Sequence, residues 1–247
     1  MRIQDRTSRR KARTGRAKVS QSSFVFRTWG GKRKGAGRKS TRPEGPGVSH
    51  RRRPLLASRF PVHVSLKVRV GLPNLRGPKL RRVVLKCLRR AQERVGFRLV
   101  HFSIQGRHLH LIVEAVDARA LARGIQGLSV RVARRINKTL GTKGKVFADR
   151  YYARVLKTPT ETRRAVAYVI NNLRHHESQY GRKLAWGFID PLSSGLDFDG
   201  WRDARPPPQE RDYEPVGVAP GTWLLRTGWK LRGLIGVNEV PGGSFGP

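Results

Sequence analysis

The stretch Phe97–Ala115, FRLVHFSIQGRHLHLIVEA, decides the fold. Val100, Phe102 and Ile104 alternate with His101, Ser103 and Gln105, the period of two of a half-buried strand. Gly106-Arg107 is a short turn, and His108 to Ala115 is a second strand. Two strands this close predict an antiparallel hairpin. Upstream, Arg59–Val70 sets Val62, Val64, Leu66, Val68 and Val70 on one face and Pro61, His63, Ser65, Lys67 and Arg69 on the other. Between them, Leu80, Val83, Val84, Cys87, Leu88 and Ala91 follow helical spacing over Lys79–Val95, with Gly96 as the stop. Downstream, Asp117 is an N-cap for a helix with Leu121, Ile125, Leu128, Val132, Ile136 and Leu140 on one stripe, ending at Gly141. Lys145–Lys157 reads as a fourth strand. Thr158 or Thr160 caps a last helix, whose first turn holds Glu161. The order β-α-β-β-α-β defines an α+β, ferredoxin-like fold (a split βαβ antiparallel sheet) with an additional C-terminal helix. Two helices are expected on one sheet face, with the other face free.

Charge sets the class of partner. The chain has 247 residues, 53 Lys plus Arg, 16 Asp plus Glu and a formal charge of +37. Such a surplus points to a polyanion, nucleic acid first and an anionic membrane surface second. No apolar run is long enough to span a membrane, and the N-terminal MRIQDRTSRRKARTGR lacks the apolar core of a secretory signal. A single cysteine, Cys87, excludes an internal disulfide and a Cys-rich zinc site and fits a reducing cytoplasm. Residues 1–54 carry a net +16 and few aliphatic side chains, the pattern of a disordered basic arm. Within it, GGKRKGAGRKSTRP reads either as a solvated phosphate-binding tail or as a minor-groove hook. Residues 55–181, net +21, form the folded domain. Residues 182–247 are neutral overall and hold PPP at 206–208 with Trp186, Trp201, Trp223 and Trp229, an irregular tail expected to dock aromatics on that domain.

Candidate chemistry concentrates on the free sheet face. His63, His101, His108 and His110 all lie opposite their strands' apolar rows, and His108 and His110, two apart, point the same way. Neutral imidazoles suit divalent metals. The alternative is a polar face that happens to use histidine, as in RNA-binding sheets, but those carry stacking aromatics and this face shows no aromatic pair. In AVAYVINNLRHHE, Val166, Val169, Ile170 and Leu173 form the apolar stripe, while Tyr168 and Asn172 stack one turn apart off it, with His175 near the same line. Tyr168 is then either a partly exposed packing aromatic or a nucleophile whose neighbour Asn172 completes a metal shell. Tyr151 and Tyr152, on the fourth strand, are rival nucleophiles.

The set HLHL, RYYARV and YVINNLR resembles the REP-associated tyrosine transposases, single-tyrosine members of the HUH nuclease superfamily, whose hallmark is His-hydrophobic-His. FPVHVSLKVR resembles that family's opening strand, with Val62 in place of Tyr and His63 kept. The chain departs from the pattern at Leu173, where Pro is usual, and in QGR before the His pair. The resemblance covers about residues 58–180, and the tail more weakly. It implies a single-strand DNA endonuclease and transposase acting at hairpin-associated sites. Tyr168 would be the nucleophile, forming a 5′-phosphotyrosine link. His108, His110 and Asn172 would bind Mg²⁺ or Mn²⁺, with His63, His101 and Tyr152 as possible support. Lys67, Arg69, Arg107, Arg150, Arg154 and Arg164, with Lys32, Arg33, Lys34, Arg38 and Lys39 of the arm, would hold single-stranded DNA and hairpins. The protein would work as a monomer or homodimer in a bacterial cytoplasm, associated with the nucleoid and not with a membrane. The alternative is a catalytically inactive nucleic-acid binder of the same fold.

Overall fold

The computed structural model describes Val48, residues 55–203 and residues 213–242. The basic arm, with Lys32, Arg33, Lys34, Arg38 and Lys39, lies outside the described residues, as does the PPP run. Five strands, β1 (Val62–Lys67), β2 (Glu93–Arg94), β3 (Phe97–Ile104), β4 (His108–Ala115) and β5 (Tyr152–Val155), form one antiparallel sheet in the order β2-β3-β4-β1-β5. Leaving out the short β2, this is the order expected of the split βαβ arrangement. Helices α1 (Pro78–Arg89) and α2 (Ala118–Leu140) are the two crossovers, and α3 (Pro159–Ile170) and α4 (Asn172–Gln179) follow β5.

Local chemistry fixes most boundaries. Asp117 accepts from the Ala120 amide at 2.6 Å to start α2, and Gly141, at φ 66°, ends it. Thr158 accepts from the Glu161 amide to start α3, and the Glu161 carboxylate reaches back to the Lys157 amide at 2.9 Å, a capping-box arrangement. Helix α1, however, stops at Arg89, and Gly96 does not cap it. Gly96 instead turns the chain, at φ 73°, between Glu93–Arg94 and Phe97–Arg98, which pair as a hairpin. The fourth strand is shorter than 145–157. Phe147 makes an isolated bridge to Val68, and the chain then bends where the Asp149 side chain accepts from the Arg150 amide at 2.7 Å. The last helix is two helices that meet at Asn171 (φ −101°, ψ 20°), whose side-chain amide donates to the Gly236 and Glu239 carbonyls.

Two cores sandwich the sheet. On one face Leu109, Leu111, Val113, Phe102 and Val64 pack against Leu80, Leu88, Ile125 and Val132 of α1 and α2. The other face is not free. Helix α3 lies on it, and Ile189, Phe198, Trp201, Leu225, Trp229, Ile235 and Val237 pack with α3, so that Val100, Ile112, Val166, Val169, Trp201, Trp229 and Ile235 belong to a second core. The single apolar stripe expected on the last helix is therefore a helix buried all round from Ala165 to Ile170. Of the four tail tryptophans, Trp201 and Trp229 dock, while Trp186 and Trp223 are exposed. Among the described residues no helix is long and apolar enough to cross a membrane.

Helix α2 approaches the sheet most closely at Gly124, where an added Cβ would stand 2.3 Å from the buried Phe97 ring. Gly124→Ala should lower stability by about 1–3 kcal/mol, read as a shifted urea midpoint. An unchanged midpoint would show that the Phe97 ring can move aside.

Candidate active site

Strand register assembles the polar side chains. On the sheet face beneath α3, Ser103 pairs with His110, His110 with Ser65, and Ser65 with Tyr152. One row over, His101 pairs with Ile112, Ile112 with His63, and His63 with Arg154. His63 and His110 are thus diagonal neighbours on adjacent strands. Their rings stack at 5.5 Å, with His63 Nε2 3.4 Å from His110 Nδ1. His108, two residues before His110, stands 6.0 Å from it ring to ring.

Helix α3 lowers Tyr168 onto this pair. Its ring meets His110 edge-on at 5.3 Å and His63 at 6.0 Å. One turn on, Asn172 is fully buried, and neither its Oδ1 nor its Nδ2 has a hydrogen-bond partner at ordinary distance among the described residues. The amide nevertheless faces the Tyr168 hydroxyl closely enough to oppose the rise that burial gives the phenol pKa. His175, two helical turns after Tyr168, touches its ring at 5.5 Å and is anchored through Nδ1 to the Pro241 carbonyl at 2.9 Å.

The imidazoles are neutral near pH 7. Burial lowers the pKa of His63 to about 4, helped by the charge of Arg154. Burial, with Lys67, His176 and Arg107, lowers His108 to about 4, and His110 is pushed well below its usual value by burial and its neighbouring histidines. Neutral rings keep lone pairs for a cation. Among the described residues no three His, Cys, Asp or Glu side chains are placed to hold a metal by themselves. The side chains that could hold a divalent ion here are the imidazoles of His108 and His110 with the buried amide of Asn172. Arg107 adds a second orphan: its Nε and Nη2 are buried without hydrogen-bond partners among the described residues, next to His108. A phosphate oxygen would satisfy it.

Of the residues singled out from sequence, the structure gathers His63, His108, His110, Tyr168 and Asn172, with Lys67, Arg107 and Arg154 around them. Tyr152 faces the same side two strands from His110, whereas the Tyr151 ring packs into the opposite core. His101 shares the face but not the cluster. Its ring lies against Phe198 and its Nδ1 is 3.2 Å from Ser194 Oγ. Arg69 donates to the Lys145 carbonyl, and Arg150 and Arg164 are exposed. His176, close enough to act on both His108 and His110, was not visible as a site residue in the sequence. The signal was the His175-His176 pair two turns beyond Tyr168.

Residues 63–172 match the family model Transposase IS200 like. This segment runs from the first histidine of the cluster to its asparagine. Among solved structures the chain is similar to a REP-associated tyrosine transposase bound to a REP hairpin, at 15% identity over 54% of this chain and 75% of that one, with a TM-score of 0.40. It is also similar to a protein of Deinococcus radiodurans described as a transposase, at 14% identity over 57% of this chain and all of that one, with a TM-score of 0.34. No curated protein matches the chain.

Buried neutral histidines make stability depend on pH. His63 and His101 both sit at about 4, mainly through burial, which for His101 outweighs the opposing charge of Asp199. The unfolded chain takes up these protons near 6.5 and the folded chain does not. Stability is thus full above about 6.5 and is lost as pH falls toward 4, by about 3 kcal/mol for one such imidazole. The urea midpoint should fall between pH 7 and pH 5, and His101→Gln should flatten that fall. A midpoint level across this range would contradict the burial of neutral rings.

Proposed function

We propose that this chain is a transposase that cuts and rejoins single-stranded DNA beside hairpins, with Tyr168 as the nucleophile. The observation that carries the reading is the meeting of the Tyr168 phenol, the His63 and His110 rings and the buried Asn172 amide in one cluster. The oxygen of Tyr168 attacks the scissile phosphorus, forming a 5′-phosphotyrosine bond. The bond from phosphorus to the 3′ oxygen breaks, and its electron pair leaves on that oxygen, which takes up a proton as a free 3′-hydroxyl. The surrounding neutral imidazoles are acceptors for the phenol proton. Mg²⁺ or Mn²⁺ held by His108, His110 and Asn172 would polarise the phosphate and orient it. The phosphotyrosine link retains the energy of the broken ester, so a second 3′-hydroxyl can reverse the step and join strands without ATP.

Burial of the phenol has two effects. It raises the phenol pKa, which disfavours the phenolate, and it keeps water from the covalent link, which favours strand transfer over hydrolysis. The Asn172 side chain opposes the first effect. The mouth of the site lies toward His108 and His176, which are only partly buried. A second reading, a DNA binder without nuclease activity, draws support from the small exposure of Tyr168, 4%. It expects salt-sensitive binding that neither chelation nor His108→Ala alters.

Incubation with a labelled single-stranded DNA carrying a hairpin, with and without Mn²⁺, followed by a denaturing gel, separates the two. The wild type should give a metal-dependent protein–DNA adduct. Tyr168→Phe should abolish it while leaving hairpin binding intact, and His108→Ala should reduce it by about two orders of magnitude or more. An adduct that persists in Tyr168→Phe and disappears in Tyr152→Phe would move the nucleophile to the strand.

A further inference from the structure

Trp186 was expected to dock on the folded domain, and it does not: its indole is 87% exposed. A tryptophan left in water on a loose loop would say little, but this loop is pinned on both sides of the ring. The buried Arg174 guanidinium of α4 donates to the carbonyls of Leu184, Ala185 and Phe188. The Gly187 amide donates to Asn238 Oδ1 at 3.1 Å. Gly187 itself takes φ 71°, a conformation that few other residues adopt, so the turn that follows the tryptophan is built for its shape. The backbone is thus fixed at Ala185 and at Gly187, while the large apolar side chain between them is held out.

At that ring opens a cavity of about 530 Å³, lined also by Leu184 and Val240 and by the cations Arg174, Arg182 and Lys183. No carboxylate lines it. Arg182 is already engaged, paired with Glu177 and lying 5.1 Å over the Tyr180 ring, so the face of Tyr180 is taken. Trp186 and Lys183 are the wall groups left to meet a ligand. The cavity and the histidine cluster also share their supports. Arg174 and Ser178 line the cavity from α4, the helix that carries His175 and His176, and Asn238 and Val240 line it just before Pro241, whose carbonyl holds His175.

We propose that Trp186 is a stacking platform for an unpaired base of a DNA strand, with Lys183 meeting the adjoining phosphate. A flat π face beside cations, with no carboxylate, fits a nucleobase on its backbone: stacking on an aromatic supplies affinity that tolerates any sequence, and the cation tracks the phosphate. That this strand is the one cut at Tyr168 rests on the reading given above; a base-stacking site at Trp186 does not.

The test uses the full chain and a fluorescent, unstructured DNA strand of about 16 nucleotides, with anisotropy measured across a KCl series in the presence of chelator. Trp186→Ala should weaken binding about tenfold with the slope of log Kd against log salt unchanged, since no charge is lost. Trp186→Phe should restore affinity to within about threefold of wild type. Lys183→Gln should lower the slope by about 0.7. A scan that removes one base at a time should find a position where the loss costs the wild type about tenfold and costs Trp186→Ala almost nothing, the coupling expected of two groups in contact. Unchanged affinity in Trp186→Ala would overturn the proposal. So would equal base-removal penalties in both proteins, or a strand without bases bound as tightly as the intact one. A loss in Trp186→Ala that comes with a lower thermal midpoint and is not restored by Phe would overturn it too, by making the ring structural. If the coupling is found but the wild type forms no adduct with Mn²⁺ on any strand, the platform stands and the nuclease reading falls. If the adduct forms and the coupling is missing, the reverse holds.

Discussion

Helix α3 is held from two sides, and the site depends on that hold. Below it are the imidazoles of β1 and β4. Above it, Arg163 forks onto Glu239 at 2.8 and 2.9 Å and donates to the Gly233 and Leu234 carbonyls, while Asn171 donates to Gly236 and Glu239. A bidentate Arg–carboxylate pair, partly shielded from water, fixes orientation as well as distance. Without that upper grip, an amphipathic helix would float on its apolar stripe. With it, the phenol and the Asn172 amide are set against the histidines in a space with little water. Burying an amide is costly, and here the Asn172 side chain faces the Tyr168 hydroxyl.

Much of this was written in local patterns. Alternation gave β3, β4 and the shared face of His63, His108 and His110, because register in an antiparallel sheet follows from which face is apolar. Asp117, Gly141, Thr158 and Glu161 marked helix ends through side-chain chemistry that acts within four residues. The two short segments that were misread share a cause. Glu93–Arg94 became a strand and Asp149 broke one because a tight turn or a single side-chain hydrogen bond outweighed the periodicity around it. The cover over α3 was the larger gap. A tail rich in Gly and Pro shows no period, and its docking depends on Trp201, Trp229 and Ile235 finding a helix far away in sequence. For the same reason helical-wheel logic placed Tyr168 off the core: a wheel describes one face only when one face is covered.

The charge of the folded part is distributed in a way that composition does not reveal. The sheet face gathers rings that stay uncharged, edged by a few cations, and suits a reaction in which charge develops on a phosphate. The helix face carries dense permanent charge, with no acidic residue within α1 or α2. The sheet lies between the two and keeps their electrostatics apart, so that neutral histidines persist in a strongly cationic protein. Burial, more than any neighbouring charge, lowers the pKa of each of them.

Arg163 and Glu239 are 76 positions apart in the chain. During synthesis the tyrosine helix therefore leaves the ribosome well before the segment that roofs it. Until that segment arrives, Val166, Val169 and Ile170 have an unsealed outer side, and the phenol has no fixed address above the imidazoles. A nascent or prematurely terminated chain would be sticky there, with its tyrosine not yet set against the histidines, so the order of translation itself delays the assembly of the cluster.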